Sequence, residues 1–143
     1  MTACVVDASV AAKWLLPAAG EDLIGEANRL LASHVKHTLH LIAPDLILSE
    51  IGNVLVKAVR RGRISQADAE HSLRRFSDLD LEIVPADTLL VKALQIAAIG
   101  NRSFYHSLYV ALALDAKIEL ITADERLVNA LGSRFPIRWL GVF

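Results

Sequence analysis

Short apolar runs of β-prone residues alternate with segments of helical periodicity along the whole chain. The apolar runs are predicted to form strands, at 3–6, 39–43, 81–84, 118–121 and 138–140. The segments between them are predicted to form helices, at 9–16, 21–37, 44–61, 65–77, 87–99, 104–116 and 122–132. Strands that alternate with helices favour a parallel sheet covered on both faces. We therefore expect one α/β domain over 1–143, with three layers and a central parallel sheet of four to five strands.

Residues at several helix boundaries are predicted from capping preferences. Pro44 suits the first turn of the third helix, and Gly62 suits the position just past its end. Asp87 can accept hydrogen bonds from the free N–H groups of the helix that follows it. The segment Thr122-Ala-Asp-Glu125 matches a capping box, so a helix is expected to begin there and to stop at Gly132.

The composition indicates what fills the core. Hydrophobic residues make up 54% of the chain but aromatic residues only 6%, so the core is expected to consist mainly of Ala, Leu, Val and Ile. The third helix is expected to direct four apolar residues inward: Leu48, Ile51, Leu55 and Ala58. Trp14 and Trp139 are expected to pack in or against this core.

The location of the protein is also suggested by what the sequence lacks. Cys4 is the only cysteine, so no disulfide can form within the chain, and its apolar neighbours favour a small core residue. Asp7 interrupts the first apolar run, so the N-terminus does not resemble a secretory leader. No stretch approaches the ~18 apolar residues of a membrane span. We expect a soluble cytoplasmic protein.

The net charge of −1, from 15 basic and 16 acidic residues, gives no bulk electrostatic argument for nucleic-acid binding. Any such surface must be local. One basic cluster could contact phosphates, namely Lys57, Arg60, Arg61 and Arg63. Because it lies at a helix C-terminus, we favour its interpretation as ordinary partners of the helix dipole. Three closely spaced histidines, His34, His37 and His40, cross a predicted helix end and are interpreted as surface residues.

Three acidic residues follow predicted strands or lie on the helix after one. Asp7 comes after the first strand, Glu50 lies on the helix after the second, and Asp124 follows the fourth. In open parallel sheets, ligands bind beyond the carboxyl ends of the strands, so these acids are expected to meet at one edge. Clustered carboxylates repel one another unless a cation lies among them or some are protonated. Carboxylates are the ligands of Mg²⁺ and Mn²⁺, and such a site can activate water against a phosphodiester.

Each acid also has a simpler interpretation. Asp7 can be a turn or N-cap residue, and Asp124 lies where the dipole of a helix favours an acid. Glu50 can belong to a solvated helix face. The placement of all three after alternating elements is what favours a shared site.

Four segments resemble the blocks that define PIN domains, in the family's order and over nearly the whole chain. They are VVDAS at 5–9, PDL at 44–46 with Glu50 and Asn53-Val54-Leu55, YHSLYVALA at 105–113 and TADERL at 122–127. The ordered set is similar to the VapC-type branch, the toxin ribonucleases of type II toxin–antitoxin systems.

This resemblance implies a PIN-like α/β/α fold and a metal-dependent endoribonuclease that uses Mg²⁺ or Mn²⁺ to hydrolyse RNA. It also implies inhibition by a cognate antitoxin protein and assembly as a homodimer. The resemblance assigns Asp7, Glu50 and Asp124 to the metal-site acids. It assigns three supporting polar positions to Ser9, Asn53 and Thr122.

The third block departs from the family at His106, where an Asp is usual. As a fourth member of the site, His106 could bind the metal or assist proton transfer. The alternative is a catalytically weakened module that binds RNA or a protein partner. An aspartyl phosphatase with Asp7 as nucleophile is a further alternative, but that class usually has a second Asp where this chain has Ser9.

Overall fold

Five parallel strands form the central sheet of the computed structural model, which describes residues 2–143. In chain order they are β1 (Thr2–Val6), β2 (Leu39–Pro44), β3 (Glu82–Val84), β4 (Glu119–Thr122) and β5 (Ile137–Trp139). Their order across the sheet is β3-β2-β1-β4-β5, and every neighbouring pair is parallel. The predicted parallel sheet is confirmed. Because β1 lies between β2 and β4, residues that follow β1 and β4 emerge side by side.

Seven α-helices connect and cover these strands in residues 2–143. They are α1 (Ala8–Leu15), α2 (Ile24–Val35), α3 (Leu46–Arg60), α4 (Gln66–Asp78), α5 (Leu90–Gly100), α6 (Phe104–Ala116) and α7 (Glu125–Leu131). Short 3₁₀ turns occupy Ala86–Leu89 and Leu140–Val142. This alternation gives the three-layer α/β/α architecture that the sequence predicts.

The core consists largely of aliphatic side chains, as the composition predicts. Val5, Leu41 and Leu120 from the three inner strands are fully buried. Strands covered by helices on both faces require such continuous apolar runs. Trp14 is buried against α2, where its indole N–H donates a hydrogen bond to the Ala27 carbonyl at 2.8 Å.

The inward face of α3 is offset by one residue from the prediction at its start. Leu48 is 45% exposed, whereas Ile47 is fully buried together with Ile51 and Leu55. Rows that begin at 47 and at 48 both stay on one face at about 100° per residue, so the helical period alone does not distinguish them. The expected inward position of Leu48 is therefore wrong.

Three helix starts also differ from the sequence prediction. Pro44 is the last residue of β2, and α3 begins at Leu46. Asp87 lies in a 3₁₀ turn, and α5 begins only at Leu90. The second helix begins at Ile24 rather than Glu21, because Leu23 adopts left-handed backbone geometry with φ of 56°. Gly62 does occupy the left-handed position after α3, with φ of 73°.

His34 is buried, which corrects its interpretation as a surface residue. Its Nδ1 accepts a hydrogen bond from the Leu41 N–H at 3.1 Å. Its Nε2 must then carry the proton, which it donates to the Leu79 carbonyl at 3.0 Å. A neutral His34 ring thus joins α2, β2 and the segment after α4.

No helix in residues 2–143 has the length and apolar character needed to cross a lipid bilayer.

Candidate active site

Asp7 stands at the carboxyl end of β1 and caps α1. Its extended backbone, with φ of −102° and ψ of 176°, ends the strand and places the side chain over the first turn of the helix. Asp7 Oδ1 accepts hydrogen bonds from the N–H groups of Ser9 at 3.1 Å and Val10 at 3.3 Å. The expected N-cap role is thus real, and it fixes the position of the carboxylate at the centre of the sheet edge.

Two hydroxyl groups complete the surroundings of this carboxylate. Ser9 Oγ donates to Asp7 Oδ1 at 2.5 Å, and Thr122 Oγ1 donates to Asp7 Oδ2 at 2.5 Å. Ser9 Oγ accepts from the Ala123 N–H at 2.9 Å, and Thr122 Oγ1 accepts from the Asp124 N–H at 3.1 Å. The network binds the ends of β1 and β4 to each other.

The capping-box pattern predicted that the last helix begins at Thr122, but Thr122 does not cap α7. It is buried in β4, with its hydroxyl directed to Asp7. The N-cap is Asp124, whose Oδ1 accepts from the N–H groups of Arg126 at 3.0 Å and Leu127 at 3.4 Å. An Asp at this position caps a helix at least as well as a Thr two residues earlier, so the local pattern allowed both.

Glu50 reaches the same region from α3. The Tyr109 hydroxyl, on α6, donates a hydrogen bond to Glu50 Oε1. Burial raises the pKa of the Asp7 carboxyl, hydrogen bonds from Ser9 and Thr122 oppose that rise, and the negative charge of Glu50 adds to it. Burial and then the charge of Glu50 raise the pKa of Tyr109, so its hydroxyl remains a donor. The negative charge of Glu50 therefore acts on both Asp7 and Tyr109.

His106 contacts the third acid. Its Nε2 lies 3.7 Å from Asp124 Oδ2, and its Nδ1 lies 2.8 Å from Ser103 Oγ, the N-cap of α6. The ring is therefore held at one nitrogen and directed toward Asp124 at the other. Asn53 is exposed and lines a cleft beside Glu50, outside the hydrogen-bond network of Asp7.

Tyr109 is the residue that sequence reasoning missed. It lies in an apolar stretch of α6, at 108–114, and is buried there. A buried tyrosine hydroxyl almost always has a hydrogen-bond partner. Its position within an apolar run was thus a signal for a polar contact, although the sequence does not tell which residue the contact joins.

The donor chemistry of this region fits a hard divalent cation. Carboxylate oxygens suit Mg²⁺ and Mn²⁺, and in residues 2–143 neither Asp7 nor Glu50 pairs with a Lys or Arg. The side chains engage protein donors instead, and no three His, Cys, Asp or Glu residues of the described chain form a ready-made metal site. A carboxylate that accepts a hydrogen bond keeps further lone pairs, so these contacts leave the acids able to bind an ion.

The basic cluster at the end of α3 does not join this site through any ion pair in the described chain. Lys57 and Arg60 lie in the last turn of α3, where the helix dipole favours cations. Arg63 pairs with Glu21 at 3.7 Å, and Glu21 also contacts the buried Lys13 at 3.3 Å.

Comparisons with known proteins match nearly the full length of the chain. The family model described as PIN domain matches residues 4–131. "VapC ribonuclease Mb0985" of Mycobacterium bovis is 35% identical over 133 residues, which cover 93% of this chain and 94% of that protein.

Two solved structures show the same fold at low identity. PAE2754 from Pyrobaculum aerophilum has a TM-score of 0.72 at 22% identity, over 99% of this chain and 91% of that one. A toxin–antitoxin complex from Klebsiella pneumoniae has a TM-score of 0.63 at 12% identity, over 94% of this chain and 95% of that one.

Proposed function

This chain belongs to the PIN-domain family and is a VapC-type endoribonuclease toxin, and we propose that it hydrolyses RNA phosphodiester bonds at Asp7, Glu50 and Asp124. The observation that carries the proposal is the bond from Thr122 to Asp7, which ties the acid-bearing ends of β1 and β4 together. The similarity to a named VapC ribonuclease over almost all of both chains supports the reaction class. This similarity does not favour the two alternatives, a catalytically weakened binding module and an aspartyl phosphatase.

The proposed reaction depends on a divalent metal ion, for which Mg²⁺ and Mn²⁺ are the candidates. Asp7, Glu50 and Asp124 would hold it, with His106 as a further ligand. When bound, the ion supplies Lewis-acid stabilisation of charge on the phosphodiester and promotes ionisation of a water nucleophile. A cation held there would lower the electrostatic cost of keeping Asp7 ionised in its buried position beside Glu50.

The protein's own residues orient the acids and handle protons. Ser9 and Thr122 donate to the two oxygens of Asp7 and keep the carboxylate in one orientation. Tyr109 does the same for Glu50. Ser103 holds Nδ1 of His106, so only Nε2 is free: it would either bind the ion or carry a proton for the oxygen that leaves phosphorus, but not both.

The proposed partners are RNA, a cognate antitoxin and a second copy of the chain. The likeness to a toxin–antitoxin complex supports an antitoxin that inhibits the enzyme. The homodimer is supported by exposed apolar residues on the solvent side of α5, namely Leu90, Val91, Leu94 and Ile99. Sedimentation of the purified chain measures its oligomeric state.

The decisive experiment compares Asp7→Asn with wild type in an RNA cleavage assay over a Mn²⁺ titration. We expect cleavage by wild type and none by the variant, with unchanged circular dichroism. Asp87→Asn is the matched control, because Asp87 is exposed in a 3₁₀ turn and is expected to leave cleavage unchanged. Equal Mn²⁺-dependent cleavage by Asp7→Asn would refute the assignment.

A further inference from the structure

A cleft opens beside the candidate active site, between α3 and the start of α6. It has a volume of about 330 Å³, within the range of roughly 300–1,000 Å³ that small-ligand pockets occupy. Five residues line it: Leu46, Ser49, Glu50, Asn53 and Tyr105. Because Glu50 belongs both to the cleft and to the acid group, whatever fills the cleft lies next to one of the acids proposed to act on RNA.

Tyr105 forms the outer wall of this cleft. It lies in the first turn of α6, four residues before Tyr109, so both side chains occupy the same face of the helix. Tyr109 is 2% exposed and contacts Glu50, whereas Tyr105 is 60% exposed. The helix therefore presents one tyrosine to the acid and the next one to solvent at the mouth of the cleft.

The remaining lining residues select the chemistry of the occupant. In residues 2–143 the lining contains one acid, Glu50, and no Lys or Arg, so it does not attract a phosphate by itself. Ser49 and Asn53 are exposed and offer neutral hydrogen-bond donors and acceptors. Leu46 adds an apolar contact. An aromatic wall with neutral polar groups matches a nucleobase, which has a flat π face and a hydrogen-bonding edge.

The geometry points to a nucleobase subsite in which Tyr105 stacks on an unpaired base of single-stranded RNA, with Ser49 and Asn53 facing the edge of that base. This inference rests on the proposed ribonuclease function and adds a determinant of substrate choice. A base within a duplex has both faces covered by its neighbours and cannot stack on Tyr105. The subsite therefore selects unpaired RNA at the nucleotide next to the cleaved bond.

Binding is measured first, with protein that carries Asp7→Asn so that the RNA stays intact. The probe is a short single-stranded RNA with 2-aminopurine, whose fluorescence falls on stacking. Adding Tyr105→Ala is expected to weaken binding about 10-fold, as loss of one stacked base does, and to abolish the quenching. Tyr105→Trp is expected to retain both. Val35→Ala, at a residue with a similar exposed fraction of 61% on α2, is expected to change neither.

Cleavage by otherwise wild-type protein then separates this inference from the proposed function. Tyr105→Ala is expected to raise KM with little change in kcat, and an RNA with an abasic nucleotide is expected to remove the difference between the variant and wild type. Absence of any cleavage by wild type contradicts the ribonuclease function. Normal cleavage by wild type, with binding and KM of Tyr105→Ala unchanged, overturns the subsite alone. Loss of antitoxin binding with full RNA binding assigns Tyr105 to the protein partner and also overturns it.

Discussion

The Tyr109 hydroxyl donates a hydrogen bond to the carboxylate of Glu50, across 59 positions of sequence and from α6 to α3. Tyr109 is buried, and Glu50 is half-buried. The bond gives a charged side chain a fixed partner at the edge of the candidate site. It also makes the orientation of Glu50 depend on the packing of α6.

Replacing Tyr109 with Phe tests this relationship. The ring still fills its space, but Glu50 loses its donor, which is expected to lower stability by about 1–2 kcal/mol. Misplacement of Glu50 is expected to raise the activation free energy of cleavage by ~1.4 kcal/mol, which lowers the rate about 10-fold. Thermal denaturation and RNA cleavage measure the two effects. Wild-type values for both would show that the bond has no role in positioning Glu50.

Asp7→Asn is expected to stabilise the metal-free protein at neutral pH while abolishing cleavage. Burial raises the pKa of Asp7 above its ordinary value of 3.8, so the ionised form is disfavoured in the folded state. The contribution of Asp7 is therefore most favourable below pH 3.8 and is lost as the pH rises through the folded pKa. Each unit of rise corresponds to about 1.4 kcal/mol.

The measurement is the melting temperature of both proteins in EDTA between pH 4 and pH 8. The stability of wild type is expected to decline relative to Asp7→Asn as the pH rises. A variant that is less stable than wild type at pH 8 would contradict the prediction.

Gly100 and Gly52 are both helical glycines, but their surroundings differ. A Cβ at Gly100 would lie 2.2 Å from Cδ2 of the buried Leu131, whereas a Cβ at Gly52 meets nothing within 4 Å. Gly100→Ala is expected to lower the free energy of unfolding by roughly 1–3 kcal/mol through overpacking. Gly52→Ala is expected to raise it by about 0.5–1 kcal/mol through helix propensity. Urea denaturation of the pair measures both, and stabilisation at both positions would contradict the clash.

His34→Leu is expected to lower stability by about 2–4 kcal/mol, because it leaves the Leu41 N–H and the Leu79 carbonyl without their partner. His71→Ala is the control, since His71 is exposed on α4 and the change is expected to stay within about 0.5 kcal/mol. Thermal denaturation of both variants measures the difference. Equal melting temperatures would show that the bridge made by His34 is dispensable.

His106→Asp is expected to strengthen Mg²⁺ binding, because a carboxylate is a better ligand than imidazole for this hard cation. The added charge would lie on the side of α6 that faces Asp124, whose Oδ2 is now 3.7 Å from His106 Nε2. Calorimetric titration with Mg²⁺ and with Mn²⁺ measures the change. Cleavage that appears only in the variant, and not in wild type, would favour the weakened-module interpretation.

The parts of the fold that depend on local pattern could be predicted from the sequence. The alternation of strand and helix segments predicts the parallel sheet, and the position of Asp7 after β1 predicts its place at the sheet edge. The choice between competing local signals could not be predicted. Thr122 and Asp124 both suit a cap, and only the proximity of Asp7 draws the Thr122 hydroxyl into the network.

Contacts between distant residues were the other limit. The sequence suggests that His34 is a surface histidine, because β2 and the segment after α4 come beside it only in the folded chain. The apolar neighbours of Tyr109 indicate only a core residue, and its contact with Glu50 of α3 is visible only in the folded chain. Hydrophobic periodicity reports which face of an element is buried, but it contains no information about which polar group lies opposite.

The bond between Thr122 and Asp7 spans 115 positions of sequence and joins a residue near the start of the chain to one near its end. During synthesis, Asp7 leaves the ribosome long before β4 exists to meet it. The growing polypeptide consequently cannot form this contact until β4 has been synthesised. A nascent chain that stops short of Thr122 would leave the second oxygen of Asp7 without its hydroxyl donor, so this edge of the sheet closes only after translation has passed that residue.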